Sequence, residues 1–210
     1  KYVKKHEDEF DIIIDQVNTI PFFTPLAITH KKRRAFFHQL CRNIWFYEKS
    51  FPVSLIGSVL EYFYLKLYRN TKAFVVSDST KQDLIKYAWA NPDNILVLEN
   101  QINFKPMSKV SKKDDYFVFC GRLTKSKRVH DCIKALSNVK NSKLYLVGNG
   151  EDNYKRKLTN LISKLGLDGR VVFTGKISND ERNKLMAKAI AILVTSVREG
   201  WGLIVTEANA

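Results

Sequence analysis

Cysteine, histidine, proline and glycine are all sparse in this sequence, and each shortage excludes something. Three cysteines (Cys41, Cys120, Cys132) cannot form a closed disulfide set and include no C-x-x-C pair, so the thiols fit a reducing compartment. With only His6, His30, His38 and His130 beside them, no metal-ligand spacing arises, which excludes structural zinc. No run of 18 or more uncharged apolar residues occurs, so no segment qualifies as a membrane-spanning helix; the nearest, Phe51 to Tyr68, carries Glu61 and Lys66 inside it. The chain opens at Lys1 without Met, apolar leader or small-residue cleavage site. It stops at Ala210, just inside an expected helix, so the middle of something longer is expected.

Apolar residues are not scarce. Of 210 residues 45% are hydrophobic and 12% aromatic, enough to bury a core and to argue against disorder. The length allows one large domain or two small ones. A net charge of +14 fits nucleic acid, an anionic membrane surface or phosphorylated substrates equally well. Its distribution is uneven: residues 1–105 carry a net +4 and residues 106–210 a net +10.

Other compositions change at the same place. All five prolines lie at or before Pro106, and eight of the nine glycines lie at or after Gly121. Between them runs a polar, aperiodic stretch, and the expected organisation is a domain over 1–105, a linker over 106–115 and a second domain over 116–210. In the first, strands are expected at Phe10–Asp15, Arg34–Gln39, Ala73–Ser77 and Ile95–Leu98. In the second they are expected at Tyr116–Cys120, Lys143–Val147, Val171–Thr174 and Ala189–Thr195. These runs are too continuous for strands with one wet face and suit parallel strands covered on both sides. Helices are expected at Val53–Arg69, Thr80–Trp89, Val129–Val139, Tyr154–Leu165 and Asp180–Ala189. Repeated β-α-β alternation implies an α/β fold with a doubly wound, Rossmann-like parallel sheet in each half, both incomplete in this chain, and a ligand at the carboxyl ends of the strands.

By that rule the chemistry belongs in the segments after each strand of the second half. Gly121, Gly148, Gly175 and Gly200 each follow one, where glycine permits close approach of backbone to a ligand. Arg122 and Lys127 combine a planar fork with a compact charge, a pairing suited to a diphosphate, although a solvated basic loop accounts for them equally well. Glu199 and Glu207 flank Gly200, Trp201, Gly202 and Leu203. A helix starting near Gly202 or Leu203 would aim free N–H groups at an anion. Carboxylates accept hydrogen bonds from sugar or ribose hydroxyls. Cations for phosphate beside carboxylates for hydroxyls describe a nucleotide-sugar site.

With those residues in view, the stretch from Glu199 to Glu207 resembles the E-x7-E signature of retaining GT-B glycosyltransferases, specifically glycosyltransferase family 4. Phe119 to Lys127 is similar to that family's G-R-L-x-x-x-K segment, and Leu144–Gly150 and Val172–Gly175 are similar to its next two strand ends. The resemblance extends through most of the chain. It implies a GT-B fold and transfer of a hexose, with mannose or glucose as candidates, from a nucleotide-sugar donor to a glycan or lipid-linked acceptor with retained configuration. It implies that Arg122 and Lys127 neutralise the donor diphosphate and that Glu207 binds the ribose. Glu199 would bind the transferred sugar, the amides around Gly202 and Leu203 the distal phosphate, and Lys176 and Ile177 the base. No cofactor and no metal are expected, in keeping with the lack of a D-x-D motif. His38 stands where the family often has a histidine facing the cleft, which implies a catalytic role, though a histidine at a strand end also serves structure alone. Gln16 and Asn18 are weaker acceptor-side candidates. The sequence departs from the family pattern at Asn100-Gln101-Ile102-Asn103, at Arg128 where glycine is common, and at Thr195-Ser196 where Pro-Ser is usual.

One apolar face of the expected Val53–Arg69 helix (Val53, Ile56, Val59, Leu60, Phe63, Leu67) suits a helix packed on its sheet. The other reading is an interfacial helix meeting anionic lipid, with Lys66 and Arg69 near its end. The expected location is cytoplasmic, with the inner membrane face as a peripheral site. A GT-B epimerase or phosphorylase and a non-catalytic nucleotide-sugar module share the scaffold. Nucleic-acid binding rests on charge alone and lacks a recognition motif, so no nucleic-acid partner is expected.

Overall fold

In the computed structural model, which describes residues 2–101 and 112–210, the chain divides into two compact units. The first comprises Lys1–Gln101 with Glu199–Trp201, the second Ile102–Arg198 with Gly202–Ala210. Of the expected linker, residues 106–111 lie outside the described residues. Its end is tied to the second unit: Lys113 Nζ donates to the Ala187 carbonyl at 2.6 Å and the Asp114 N–H to that of Lys188 at 2.8 Å.

The first unit contains a short helix α1 (Tyr2–Lys5), strands β1 (Ile13–Val17) and β2 (Arg33–Phe37), and helices α2 (Ile44–Glu48) and α3 (Val53–Leu67). Strand β3 (Ala73–Val75), helix α4 (Asp78–Ala88) and strand β4 (Ile95–Val97) complete it. The four strands form a parallel sheet in the order β1-β2-β3-β4. Its core lies on one face, where Val17, Ala35, Phe37, Ala73 and Val75 meet Tyr64, Leu65 and Tyr68 of α3 and its end, and Leu84 and Ala88 of α4.

Two expectations are corrected here. The strands are not covered on both sides: Ile14 and Leu96 are each 56% exposed, so among the described residues the sheet's second face is open. The apolar face of α3 is not the packed one either. Val53, Ile56, Val59, Leu60, Phe63 and Leu67 are all between 37% and 60% exposed, and the stripe turned inward is Ser54, Gly57, Glu61, Tyr64 and Leu65. Close approach selects it. The Trp45 ring lies against Gly57, where a Cβ would come within 2.4 Å of Trp45 Cε3. Glu61, 2% exposed, accepts the Cys41 and Arg42 N–H groups at 2.7 Å each and Trp45 Nε1 at 3.0 Å.

β1 also runs further than expected, through Val17, with Asp15 inside it. A carboxylate reads as a strand end from sequence; here it is 1% exposed and fully engaged. It accepts the Phe22 N–H, the Thr24 N–H and hydroxyl, and the Tyr68 hydroxyl, the last at 2.5 Å.

The second unit runs β5 (Tyr116–Cys120), α5 (Val129–Leu136), β6 (Lys143–Val147), α6 (Asp152–Lys164), β7 (Val171–Gly175), α7 (Asn179–Lys188), β8 (Ala191–Ile192) and α8 (Leu203–Asn209). Its parallel sheet has the order β7-β6-β5-β8. Period-two alternation buries both faces, as expected of parallel strands under helices. Phe119, Leu144 and Leu146 pack with Ile133 and Leu136 of α5 and Leu158 and Ile162 of α6. Val118 and Val147 pack with Met186 of α7 on the opposite face, with Ile204 of α8 against them.

Successive strand ends interlock through backbone. Gly121 N donates to Val147 O, Leu123 N to Asn149 O and Gly148 N to Gly175 O, each at 2.9 Å. The approach excludes side chains: a Cβ on Gly148 would lie 2.0 Å from Gly121 O, and one on Gly150 would lie 2.1 Å from Leu123 O. Gly148 also takes φ +128°, which penalises any residue bearing a Cβ.

Two outcomes are expected. Gly148→Ala should lose about 3 kcal/mol or more, because backbone atoms block the methyl and the dihedral is strained; an unchanged melting temperature would refute the packing. Glu61 supplies a pH signature. Burial pushes its carboxyl above the usual range, against the opposing pull of the Arg42, Cys41 and Trp45 donors. A raised acid contributes stability that is full below its unfolded value of 4.5 and is lost as pH rises through the folded value. In Glu61→Gln that dependence disappears. The stability difference between parent and variant, read by urea unfolding, should therefore shift against the parent as pH rises, by about 1.4 kcal/mol per unit of raising. A difference constant with pH would show the carboxyl to be unshifted.

Candidate functional site

The order β7-β6-β5-β8 contains a reversal. From β5 the chain builds outward through β6 and β7, then returns to the other side of β5 to lay down β8. Connections leaving β5 and β8 therefore diverge, and in open α/β sheets the crevice outside such a switch point receives ligands. Here those connections are residues 121–128 and 193–202, the segments that hold Arg122, Lys127 and the approach to Gly202.

The two connections are stitched together. Val197 N donates to Ser126 O at 2.8 Å, and the Thr195 hydroxyl reaches Lys127 O at 2.8 Å and Arg128 O at 3.1 Å. Thr195, a departure from the expected Pro-Ser, thus holds the basic loop by its backbone. Arg128, the departure from glycine, takes φ 51° as the N-cap of α5. That left-handed conformation costs a residue with a Cβ about 1–2 kcal/mol, which is why glycine suits the position. Its guanidinium pairs with Asp131 at 2.5 Å. Arg122 is exposed at the end of β5, and Lys127 is half-buried in the last turn before α5.

Around these cations the other second-unit candidates converge on the same sheet end. Gly121, Gly148 and Gly175 form the interlocked rim. Gly148 and Gly175, with Asn149, Lys155, Thr159 and Phe173, line a cavity of about 170 Å³ behind it. Lys176 and Ile177 connect β7 to α7, and Ile177 packs with Met186 and Val147. Gly202, at φ 79°, is the N-cap of α8, which begins at Leu203. Glu207 is half-buried on α8 and pairs with Arg182 of α7, Oε1 to Nη2 at 3.2 Å. Cys120 shares that neighbourhood: burial pushes its thiol up to about 11, with Arg182 lowering and Glu207 raising it. The thiol is protonated and unreactive near neutral pH.

In the first unit, Gln16 Nε2 lies 2.9 Å from His38 Nε2, so the candidate catalytic histidine and one of the two acceptor-side candidates meet directly across β1 and β2. His38 stands just past the end of β2, its ring packed edge-on to Phe36. Asn18 is exposed and contributes its carbonyl to the Cys41 thiol at 3.9 Å. Glu199–Trp201 group with this unit. Gly200 lies so close to His38 that a Cβ would come within 2.2 Å of the His38 carbonyl oxygen. The buried Trp201 indole N–H has no hydrogen-bond partner among the described residues.

Beside the sequence candidates the structure places Arg182, Lys155 and Thr159, which the sequence does not single out, and Asn149, which lies inside the Leu144–Gly150 strand-end segment. Arg182 carried a faint signal in its place within the first turn of α7; Lys155 and Thr159 carried none, because their placement depends on which strands become neighbours. Among the described residues no group of three or more His, Cys, Asp or Glu is placed to hold a metal ion, and no helix is long and apolar enough to cross a membrane.

Comparison with known proteins places this geometry in a family. The chain is 30% identical over 165 residues to an uncharacterized glycosyltransferase of Methanocaldococcus jannaschii, covering 70% of this chain and 42% of that protein. It is 27% identical over 195 residues to the O-antigen chain mannosyltransferase RfbU of Salmonella typhimurium, covering 92% and 52%. The chain thus spans about half the length of the curated relatives it matches. Among solved structures, that of Anabaena HepE in complex with UDP and glucose superimposes with a TM-score of 0.72 at 20% identity, over 99% of this chain and 59% of that one. At that identity the likeness speaks for the fold, which is the GT-B type built from Rossmann-like parallel sheets. The model of the glycosyl transferases group 1 matches residues 100–210, and by that match the chain belongs to the group 1 glycosyl transferases.

Proposed function

We propose that the whole protein is a retaining glycosyltransferase of family 4 that moves a hexose from a nucleotide-sugar donor to a glycan or lipid-linked acceptor. The observation that carries the reading is the switch-point rim, where Arg122 and Lys127 sit on a β5–α5 connection held by backbone to the β8 connection. A diphosphate leaving there develops charge as the glycosidic bond breaks, and fixed cations in a partly desolvated cleft stabilise that charge more in the transition state than in the ground state. Arg122 offers the bidentate fork and Lys127 the point charge. Neutralisation by these groups makes the reaction independent of a metal. The amides at Gly202 and Leu203 receive the distal phosphate, Glu207 the ribose and Lys176–Ile177 the base. Glu199 orients the transferred sugar, and His38, paired with Gln16, serves the acceptor side.

Two of the relatives support a hexose donor: one is named a mannosyltransferase and another was solved with UDP and glucose. GDP-mannose and a UDP-hexose are therefore the donors to test first. A lipid-linked acceptor would bring the protein to the cytoplasmic membrane face, where the net charge of +14 favours anionic lipid.

Calorimetry of the full-length protein against UDP, GDP and ADP should give one clear binder, and the matching nucleotide sugar should turn over with the anomeric configuration retained in the product's NMR spectrum. Arg122→Ala should lower turnover by about 100- to 1,000-fold, the loss typical of removing one transition-state donor, and EDTA should leave the rate unchanged. Failure of all three nucleotides to bind would overturn the reading, and an epimerised donor without transfer would replace it by the epimerase.

A further inference from the structure

Arg182 and Glu207 come from different helices and meet at the sheet end used by the base and ribose in the function proposed above. α7 starts at a fixed point: Ser178 accepts the Glu181 N–H at 3.2 Å while Glu181 accepts the Ser178 N–H at 3.0 Å, a reciprocal cap that sets the first turn. Arg182 follows immediately, its own N–H bonded to Ser178 O at 3.0 Å. From there the guanidinium divides its donors. Nε and Nη2 reach Asn183 Oδ1 at 3.3 and 3.2 Å, and Nη2 reaches Glu207 Oε1 at 3.2 Å. The two side chains are only 24% and 20% exposed, so the pair is more confined than a surface ion pair. Ile177, just before the cap, and Ile204, three residues before Glu207, pack into the same apolar cluster, which fixes the helices relative to one another. Among the described residues Arg182 is the one polar partner of Glu207, and it engages one of the two carboxylate oxygens.

We propose that Arg182 is the positioning residue of the ribose site. It clamps Oε1 and leaves Oε2 as the acceptor for a ribose hydroxyl, so that the preference of the donor site for a ribonucleotide runs through the α7–α8 pair. This rests on Glu207 as the ribose ligand. A carboxylate without the clamp keeps its charge but loses its direction, and a hydrogen bond to hydroxyl is lost with direction. The guanidinium touches neither the phosphates nor the reacting sugar, so its removal acts on ribose recognition and not on leaving-group chemistry.

The test compares affinities of the full-length protein for UDP and 2′,3′-dideoxy-UDP, and for GDP and 2′,3′-dideoxy-GDP, by calorimetry. The parent should favour the ribonucleotide by about tenfold or more, the value of a hydrogen bond to a charged group. Arg182→Gln should reduce that ratio to about twofold or less by weakening the ribonucleotide, with dideoxy affinity unchanged, and Arg182→Lys should restore part of it. Parallel loss of both affinities in either variant, or an unchanged ratio, would make Arg182 merely structural and overturn the proposal. Should Arg182→Gln fail to fold, Arg182→Lys decides by the same ratio. A parent that binds UDP or GDP without ribose preference overturns this inference and leaves the donor-site reading standing. A parent that binds none of the probes overturns both.

Discussion

The carbonyl oxygens of Gly121 and Leu123 occupy the space in which side chains at 148 and 150 would have to sit, and the strand-end surface of the second unit depends on that exclusion. Because the chain leaving β6 can lie directly on the chain leaving β5, three strand ends share backbone hydrogen bonds and present one continuous edge. The basic loop then has a floor. Thr195 and Val197 close it from the β8 side, so Arg122 and Lys127 are carried by backbone held on both flanks. Preorganisation of this kind is what makes a fixed cation useful to a leaving group, since no reorganisation is needed when charge develops.

The first unit solves a related problem with buried carboxylates. Asp15 gathers four donors from the 22–24 segment and Tyr68, and Glu61 gathers three from the 41–45 segment. Each draws a loop down onto the sheet end at which Gln16 and His38 meet. A buried carboxyl group without partners would be untenable; satisfied by several N–H and O–H groups it acts as an anchor whose removal would release a whole loop. Burial pushes the Tyr68 hydroxyl, donor to Asp15, well above its usual range, keeping it a proton donor at any physiological pH.

How much of this was legible depended on whether the signal was local. β5 and β6 were read to the residue because uninterrupted apolar runs bounded by charge and glycine admit one interpretation. α3 was located within two residues, but its buried face was misjudged. Two stripes share its helical spacing, and hydropathy favoured Val53–Leu67 over the stripe of Ser54, Gly57 and Glu61. What decided between them was Trp45 lying on a missing Cβ, a contact between segments. The boundary of β1 was misread for the same reason, because a carboxylate in a strand interior makes sense only once Thr24 and Tyr68 are seen to surround it. Among the candidate residues, the glycines and cations are suggested by their order after strands; Arg182 is not, since its place in the first turn of α7 does not announce Glu207.

Order along the chain was enough for the alternation of strand and helix, for the residue types that follow the strands and for the likeness to group 1 glycosyl transferases. All are properties of spacing and order along the chain. Only the tertiary structure decided that β8 returns beside β5 to create a switch point, which of two stripes α3 buries, and which cation accompanies Glu207. Each of these concerns residues tens of positions apart, and their meeting is selected by close packing and by the need to satisfy buried polar groups, which hydropathy along a chain does not encode.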